Sequence, residues 1–283
     1  MRPDSINRRL SLDTPLIAGD ALAVMLSRVR DGQPLSAELP SFKEAREAMK
    51  PKIERDKNLA IVPISGVLAR KPDVFELAFY GFEDMMEIER MLHEVAKDDT
   101  VEGVLLDIDS PGGFVNGTPE LGDLVARLAK IKPVVSHTSG MAASAAYWIA
   151  AQAPTVIASR SAIIGSIGVY AALYDLAAYY AEMGVKVEVF VNKEATFKAA
   201  GLPGTSLSDE QRAHFQARVQ RDFAEFKAAV NGPRPQVGPE AMRGQTFNGI
   251  EAKKLGLVDG VGDRAFALST LRQKVKAKNS QGA

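Results

Sequence analysis

The sequence contains no cysteine, which excludes disulfide bonds, thiolate metal sites and a cysteine nucleophile. It has only three histidines, His93, His137 and His214, so a multi-histidine metal site is not expected. An excess of charge of either sign is also absent, because 35 basic and 35 acidic residues cancel. The charge balance therefore indicates neither nucleic acid nor an anionic membrane as a partner, and we predict neither a metal nor an organic cofactor.

Long apolar runs are missing as well. No stretch approaches the roughly 20 residues that a helix needs to span a bilayer. The basic N-terminus leads into a segment broken by Asp13, Pro15 and Asp20, unlike the apolar region of a secretory signal. Composition is otherwise ordinary for a globular protein, with 46% apolar and 25% charged residues. A cytoplasmic protein without a membrane span is expected.

Three segments differ in their sequence patterns. Residues 1–57 are punctuated by prolines and show helical spacing at 18–30 and 42–49, and we predict an N-terminal helical extension that serves as an assembly arm. From residue 58 to 265, short β-rich runs alternate with helical ones, which is typical of an α/β core. Residues 266–283 are predicted to form a C-terminal helix whose tail frays.

Within the core, the pattern repeats a strand, a glycine-containing turn and a helix. We predict strands at 59–64, 104–108, 133–138, 155–158 and 185–191, a loop at 70–83, helices at 85–95, 118–128, 174–183 and 208–230, a strand, helix and strand from 244 to 259, and a last helix from 263. Ser208 and Gln211 form a predicted capping box for the helix that ends at Val230. Because the glycine turns follow strands, we expect them to gather at one edge of the core and to form the functional site there.

The stretch 139–150 reads Ser-Gly-Met-Ala-Ala-Ser-Ala-Ala-Tyr-Trp-Ile-Ala. It turns at Gly140 after an apolar run and continues in Ala-rich sequence that favours helix. Ser144 is therefore predicted near a helix N-terminus, where free backbone N–H groups and the helix dipole can stabilise an oxyanion. That position suits a nucleophile. Runs of Ala, Gly and Ser at such a junction also serve close packing, so the stretch alone leaves both interpretations open.

A second glycine turn, Pro111-Gly112-Gly113, follows the strand predicted at 104–108. Glycine pairs let N–H groups point together into a pocket, because glycine adopts a positive φ without a Cβ penalty. The N–H groups of Gly113 and of Ala145, which follows Ser144, would form an oxyanion hole with Gly112 in support. The same glycines also suit an ordinary turn, and only the combination of the two turns indicates catalysis.

A serine nucleophile needs a base. His137 falls in a predicted buried strand, and His93 and His214 fall on helices where a solvated histidine is usual, so a Ser-His-Asp triad has little support. The alternative is a lysine that is neutral because burial lowers its pKa. Lys198 differs from the other lysines that follow the serine because its sequence neighbours are small and apolar, whereas Lys193 has polar neighbours.

Five segments then form a recognisable series: Asp107-Ile-Asp-Ser-Pro-Gly-Gly113, the stretch 139–150, Ile164-Gly-Ser-Ile-Gly-Val169, Thr196-Phe-Lys-Ala-Ala-Gly201 and Gly256-Leu-Val-Asp259. In this order they resemble the signal peptide peptidase A family of serine peptidases, peptidase family S49. The resemblance implies a ClpP/crotonase-like α/β fold and a catalytic dyad, with Ser144 as nucleophile and Lys198 as general base. It also matches Gly113 and the N–H of Ala145 to the oxyanion hole, and it places Ser166 where its hydroxyl would orient the lysine.

The sequence departs from the family in two respects. Cellular members often carry two glycines after the nucleophilic serine, whereas Ala145 and Ala146 stand here. Membrane-anchored members carry an N-terminal span, and none is found in this sequence. The extension before Leu59 and the single core are more similar to the phage head-maturation branch, which is lambda protein C-like.

That branch implies a capsid-maturation protease of a phage or prophage. Its polypeptide substrates would be scaffold, portal or capsid proteins, cleaved in the host cytoplasm or in the procapsid. The family also implies a homo-oligomer in which Lys198 serves Ser144 of its own or of a neighbouring subunit.

Three other functions stay open from the sequence. The chain suits a bacterial cytoplasmic protease of the signal-peptide-peptidase type. It also suits a crotonase-like acyl-CoA enzyme, which likewise uses paired N–H groups. The third alternative is a catalytically inactive assembly scaffold, against which the presence of both Ser144 and Lys198 argues.

Overall fold

Strands and helices alternate along the chain. The computed structural model describes residues 47, 49–73, 76–77 and 80–281. The strands are β1 Glu54–Asp56, β2 Leu59–Ala69, β3 Phe82–Asp84, β4 Gly103–Gly113, β5 Val134–Thr138, β6 Met141–Ala143, β7 Val156–Ala158, β8 Ile163–Gly165, β9 Thr246–Asn248 and β10 Gly260–Val261. The helices are α1 Met85–Lys97, α2 Thr118–Ile131, α3 Ala145–Ala151, α4 Ala177–Glu182, α5 Asp209–Asn231, α6 Gly249–Lys254 and α7 Arg264–Gln281, with a 3-10 turn at Pro239–Ala241. The predicted α/β class and its strand-turn-helix units are confirmed.

The chain divides into two compact units. The smaller unit comprises Val169–Ala224, and the larger unit comprises the described residues up to Gly168 together with those from Glu225 onward. All the strands listed above belong to the larger unit. The helix predicted at 18–30, most of the helix predicted at 42–49 and most of the predicted assembly arm lie outside the described residues. Among the described helices, none is long and apolar enough to cross a membrane.

Strand β4 lies at the centre of the sheet of the larger unit. The sheet order is β10-β7-β5-β4-β6-β8-β9, and β2 also pairs with β4 and carries β1 and β3. Most neighbours are parallel; β8–β9 and β1–β2 are antiparallel. The long β4 pairs with β5 along its first half and meets β6 at Ser110↔Ala142 near its carboxyl end. This branching brings the glycine turn at the end of β4 beside the turn that follows β6.

One face of the sheet is covered by α7. Apolar residues of β2, β4, β5 and β7 form a buried cluster with this helix, because the side chains of a strand alternate between its two faces. The members of the cluster are Leu59, Ile61, Leu105, Val135, Ile157, Ala267, Leu271 and Val275. The helix continues to Gln281, beyond the point where the sequence suggested a frayed tail. Val275 is buried, and Asn279 donates to Glu102 at 2.9 Å, so the last turns have partners of their own.

The smaller unit contains α4 and most of α5. The predicted capping box is confirmed, because the amide of Gln211 donates to the Ser208 hydroxyl at 3.2 Å and the amide of Ser208 donates to the Gln211 side chain at 3.0 Å. The strand predicted at 185–191 is not formed. Its alternating apolar residues have no neighbouring strand, and backbone groups stay in a strand only when a partner satisfies them. Phe190 in this segment is 90% exposed.

Candidate active site

Ser144 occupies the sharp turn between β6 and α3. Its backbone has φ 51° and ψ −127°, a conformation that a non-glycine residue holds at a cost of about 1–3 kcal/mol. Two hydrogen bonds fix it: the Ser144 amide donates to the Gly165 carbonyl at 2.8 Å, and the Trp148 amide donates to the Ser144 carbonyl at 3.0 Å. Within the described residues, the Ser144 hydroxyl makes no capping bond to α3. The backbone is thus held in a strained turn while the hydroxyl is not used to cap the helix.

The turn at the end of β4 touches this serine. Gly112 has φ +100°, and a Cβ on it would lie 2.6 Å from the Cβ of Ser144 and 2.9 Å from the amide nitrogen of Ala145. Only glycine fits at that distance. Residues 111–113, which the sequence predicts as a turn, are instead the last residues of β4. The expectation that this glycine segment meets the segment of Ser144 at one edge of the core is confirmed by the contact of Gly112 with Ser144.

Two backbone amides lie beside this contact. Ala145 is the first residue of α3, so its N–H belongs to the group of helix donors that have no intrahelical acceptor. Gly113 is forced to be glycine, because a Cβ there would lie 2.0 Å from the carbonyl oxygen of Leu68. The next amide, that of Phe114, donates to the same carbonyl at 2.9 Å and fixes the end of β4 against β2.

Two aspartates of β4 brace the neighbouring turns. Asp109 accepts from the amide of Met141 at 3.0 Å, and a Cβ on Gly140 would lie 2.3 Å from its carboxylate. Asp107 accepts from the guanidinium of Arg264 at 2.7 Å. Although burial opposes ionisation, hydrogen bonds from His137 and Arg264 hold the pKa of Asp107 below its usual range. These two carboxylates therefore stabilise the conformation of this edge of the sheet.

His137 has the structural role that the sequence suggested. Its ring is buried, and its Nδ1 lies 3.1 Å from Oδ1 of Asp107, which is its register partner on β4. The other ring nitrogen has no hydrogen-bond partner within the described part of the chain. His93 is exposed at 3.9 Å from Glu89, and His214 is exposed in the smaller unit.

Ser166 lies one residue beyond the acceptor of the Ser144 amide. It has φ 52°, and its own amide donates to the carbonyl of Gln245 at 2.8 Å. The preceding Gly165 has φ +112°. Both serines therefore occupy constrained turns that one residue, Gly165, connects.

Lys198 belongs to the smaller unit, whereas Ser144 belongs to the larger one. The Lys198 side chain is exposed, as is that of Lys193. The small, apolar sequence neighbours of Lys198 therefore do not bury its amine in the single chain. The loop that carries Lys198 is attached to α5. The side-chain Nε2 of Gln211 donates to the carbonyl of Thr196 at 2.6 Å, and the rings of Phe197 and His214 lie 5.1 Å apart. These two contacts define the position of the loop within the smaller unit.

Sequence reasoning missed Ser110 and Glu83. The buried Ser110 hydroxyl donates to the carbonyl of Gly66 at 2.6 Å and accepts from the amide of Gly112 at 3.1 Å. Burial raises the pKa of Glu83 to about 7, against the effect of a 3.3 Å hydrogen bond from Ser65. For Ser110, the available sequence signal was a serine at a core-facing position of an alternating strand. No sequence signal marked Glu83. The described residues contain no cluster of potential metal ligands.

Comparison with known proteins gives the following similarities. The sequence model of Peptidase family S49 matches residues 126–278. "Putative protease MJ0651" of Methanocaldococcus jannaschii is 35% identical over 68% of this chain and 62% of its own length. "Capsid assembly protease C" of Escherichia phage lambda is 30% identical over 79% of this chain and 51% of its own length. The chain thus spans about half to three fifths of these relatives. A solved enoyl-CoA hydratase of Thermoplasma volcanium GSS1 aligns with a TM-score of 0.48 and 17% identity over 82% of this chain and 79% of that one.

Proposed function

Because the chain belongs to peptidase family S49, we propose that it is a serine endopeptidase with Ser144 as nucleophile and Lys198 as general base. The observation that carries the proposal is the contact between the glycine-bearing end of β4 and the turn at Ser144. Gly112 lies directly against Ser144 and the Ala145 amide, so an acyl group bound to the serine would have backbone N–H donors beside it. The sharp turn at Ser144 resembles the nucleophile elbows of other hydrolases in its strained backbone.

In the first half-reaction, the neutral amine of Lys198 takes the proton of the Ser144 hydroxyl. The serine oxygen then bonds to the carbonyl carbon of a substrate peptide, and the former carbonyl oxygen becomes an oxyanion. The amides of Gly113 and Ala145 donate hydrogen bonds to it, which is the largest electrostatic contribution in such reactions. When the carbon–nitrogen bond breaks, the lysine ammonium returns its proton to the leaving amine.

In the second half-reaction, water hydrolyses the acyl-enzyme. The Lys198 amine accepts a proton from water as the water oxygen attacks the ester carbon, and Ser144 recovers its proton when the ester bond breaks. Ser166 lies one residue from the acceptor of the Ser144 amide, and its hydroxyl is proposed to orient the lysine. No metal or organic cofactor takes part in this scheme.

Assembly into a homo-oligomer is part of the proposal. The smaller unit exposes several large apolar side chains, and contiguous exposed apolar residues mark interaction sites; they are Tyr170, Tyr174, Tyr179, Met183, Val185, Phe190 and Val191. The exposed Lys198 lies in the same unit. A neighbouring subunit would cover these residues and desolvate the amine, and Lys198 serves Ser144 of its own or of that subunit.

Similarity to the lambda capsid assembly protease supports a role in phage or prophage head maturation. The substrates would then be scaffold, portal or capsid polypeptides, and the protein would act in the host cytoplasm or inside the procapsid. A cellular protease of the signal-peptide-peptidase type is the alternative use of the same chemistry.

The first test compares the wild type with Ser144→Ala and Lys198→Ala in the hydrolysis of fluorescein-labelled casein. Matched controls are Ser139→Ala, an exposed serine of the preceding turn between β5 and β6, and Lys193→Ala, an exposed lysine of the same loop as Lys198. We expect both dyad variants to lose roughly 10³-fold or more in kcat and both controls to keep wild-type rates.

Labelling with a fluorophosphonate provides a second readout. The wild type should be modified at Ser144 and the Ser144→Ala variant should not. Equal casein hydrolysis by all five proteins contradicts the dyad. A well-folded, assembled wild type that neither cleaves casein nor reacts with the phosphonate contradicts a peptidase and favours the scaffold interpretation.

A further inference from the structure

Ser110 occupies a core-facing position near the end of β4. Burial along the strand alternates, with Ile108, Ser110 and Gly112 on the buried side and Asp109 and Pro111 exposed. The side chain is 0% exposed, and a buried hydroxyl without hydrogen bonds is costly. Here the hydroxyl acts both as donor and as acceptor: it donates to the carbonyl of Gly66 and accepts from the amide of Gly112.

The hydroxyl compensates for a break in the ladder between β2 and β4. Ser65 pairs with Asp109, but Val67 pairs with Gly112, so the register shifts by one residue at Gly66. Two residues of β4, Ser110 and Pro111, therefore lie opposite Gly66 alone, and Pro111 has no N–H to offer. The Ser110 hydroxyl therefore supplies, at 2.6 Å, the donor that the Gly66 carbonyl would otherwise lack.

The same hydroxyl also fixes the glycine that lies against the nucleophile. Gly112 has φ +100°, and glycine is free to leave that conformation because it carries no side chain. The 3.1 Å bond from its amide to the Ser110 oxygen removes this freedom. Since the conformation of Gly112 sets the plane of the next peptide, Ser110 sets the direction of the Gly113 N–H.

We propose that Ser110 is a positioning residue that aims the Gly113 amide at the oxyanion of the reaction. The inference rests on the proposed peptidase function. Ser110 touches neither the substrate nor Ser144 and acts only through the Gly112–Gly113 peptide. Misalignment of that amide weakens a hydrogen bond that matters most when negative charge develops, so kcat changes and KM does not.

The test measures kcat and KM for casein-derived peptides with Ser110→Ala and Ser110→Cys. The cysteine variant fills the space of the hydroxyl with a somewhat larger thiol that hydrogen-bonds weakly, and it still tests the inference if the alanine variant folds poorly. The matched control is Ser136→Ala, another serine that is 0% exposed and donates to a backbone carbonyl, that of Ala150 at 3.1 Å. Melting temperatures are recorded for all variants.

We expect both Ser110 variants to lose roughly 10–100-fold in kcat, less than complete loss of an oxyanion donor, with KM within about twofold of the wild type. Ser136→Ala should lower the melting temperature about as much while keeping kcat. Wild-type kcat in Ser110→Ala, or an equal loss in Ser136→Ala, overturns this inference alone. A wild type that neither cleaves peptides nor reacts with a fluorophosphonate at Ser144 overturns the proposed function and the positioning role with it.

Discussion

Glu83 illustrates how a single carboxyl acquires unusual properties at this sheet edge. It lies on the short strand β3 opposite Leu68 of β2, where burial raises its pKa from about 4.5 to about 7. The hydrogen bond from Ser65 opposes the shift, and the nearby charges of Asp84 and Glu87 add to it. At neutral pH the protein therefore holds a carboxyl that is partly protonated.

This shift predicts how stability depends on pH. Between about pH 4.5 and 7, native Glu83 keeps a proton that the unfolded chain has released, so the free energy of unfolding falls as pH rises through this interval. In the Glu83→Gln variant, the free energy of unfolding no longer falls with pH for this reason. Urea titrations should find the variant more stable than the wild type above pH 7 by about 1–2 kcal/mol, after discount for partial exposure, and equal below pH 4.5.

The control for this prediction is Asp98→Asn, because hydrogen bonds from Thr100 and Arg55 hold the pKa of the Asp98 carboxyl below its usual range. That carboxyl is ionised in the native and the unfolded chain from about pH 5 to 8, so the difference in stability between this variant and the wild type should not change with pH over that range. A constant difference between Glu83→Gln and the wild type from pH 4 to 8 would contradict a raised pKa at position 83.

At the scale of elements, α3 depends on its neighbours because it has only seven residues, too few to be stable alone. Trp148 of α3 stacks on Phe226 of α5 with ring centroids 4.8 Å apart. It also lies against Gly122 of α2, where a Cβ would come within 3.1 Å of its ring. Gln152 ties the end of α3 to the carbonyl of Ala229 at 2.9 Å. The helix that begins after Ser144 is thus held between α2 and α5.

Phe226→Ala should accordingly destabilise the helix that begins after Ser144. Removal of a buried phenylalanine typically costs about 3–5 kcal/mol. Trp148 is the only tryptophan of the chain, so its fluorescence in a denaturant titration reports this site directly. Phe215→Ala on the same helix, where the ring is only half-buried, should cost clearly less; equal losses would show that the Trp148 contact is not special.

The elements that the sequence predicted well are those with a strong local signal. Periodic apolar residues marked α1 and α2, and the Ser208–Gln211 pair marked the start of α5. The strand expected at 185–191 failed because alternation alone provides no partner for its backbone groups. The contact of Gly112 with Ser144 followed from placing glycine turns after parallel strands. The roles of Ser110 and Glu83 depend on a register shift and on burial, which only the folded sheet reveals.

At the scale of the whole molecule, the charge balance and the exposed apolar residues favour association between copies of the chain. The net charge is zero at pH 7, so no overall repulsion opposes contact between copies. The smaller unit leaves Phe190 90% exposed, with Tyr170 and Met183 also exposed. Burial of such residues in a subunit interface would stabilise the assembly, and the assembled fraction would then depend on concentration.

Phe190→Glu should weaken this assembly. We expect sedimentation velocity to show wild-type oligomers at micromolar concentration, and the variant to need a roughly tenfold or higher concentration to assemble, since large aromatics contribute most to interfaces. Ile131→Glu, an exposed apolar position of the larger unit, serves as the control and should assemble like the wild type. A monomeric wild type at all concentrations, or equal assembly of all three proteins, would contradict an interface at the smaller unit.

The left-handed backbone of Ser144 also bears on how this sequence evolves. Glycine adopts that conformation without penalty, so a serine there lowers stability for the sake of its hydroxyl. Where selection no longer maintains the hydroxyl, mutation of Ser144 to glycine becomes favourable for the fold. Gly112 has no such freedom, because a Cβ there would lie 2.8 Å from the carbonyl oxygen of Ala143 and 2.9 Å from the amide nitrogen of Ala145, whichever residue occupies position 144. Inactive descendants are therefore expected to lose the serine first and to keep the glycine that lies against it.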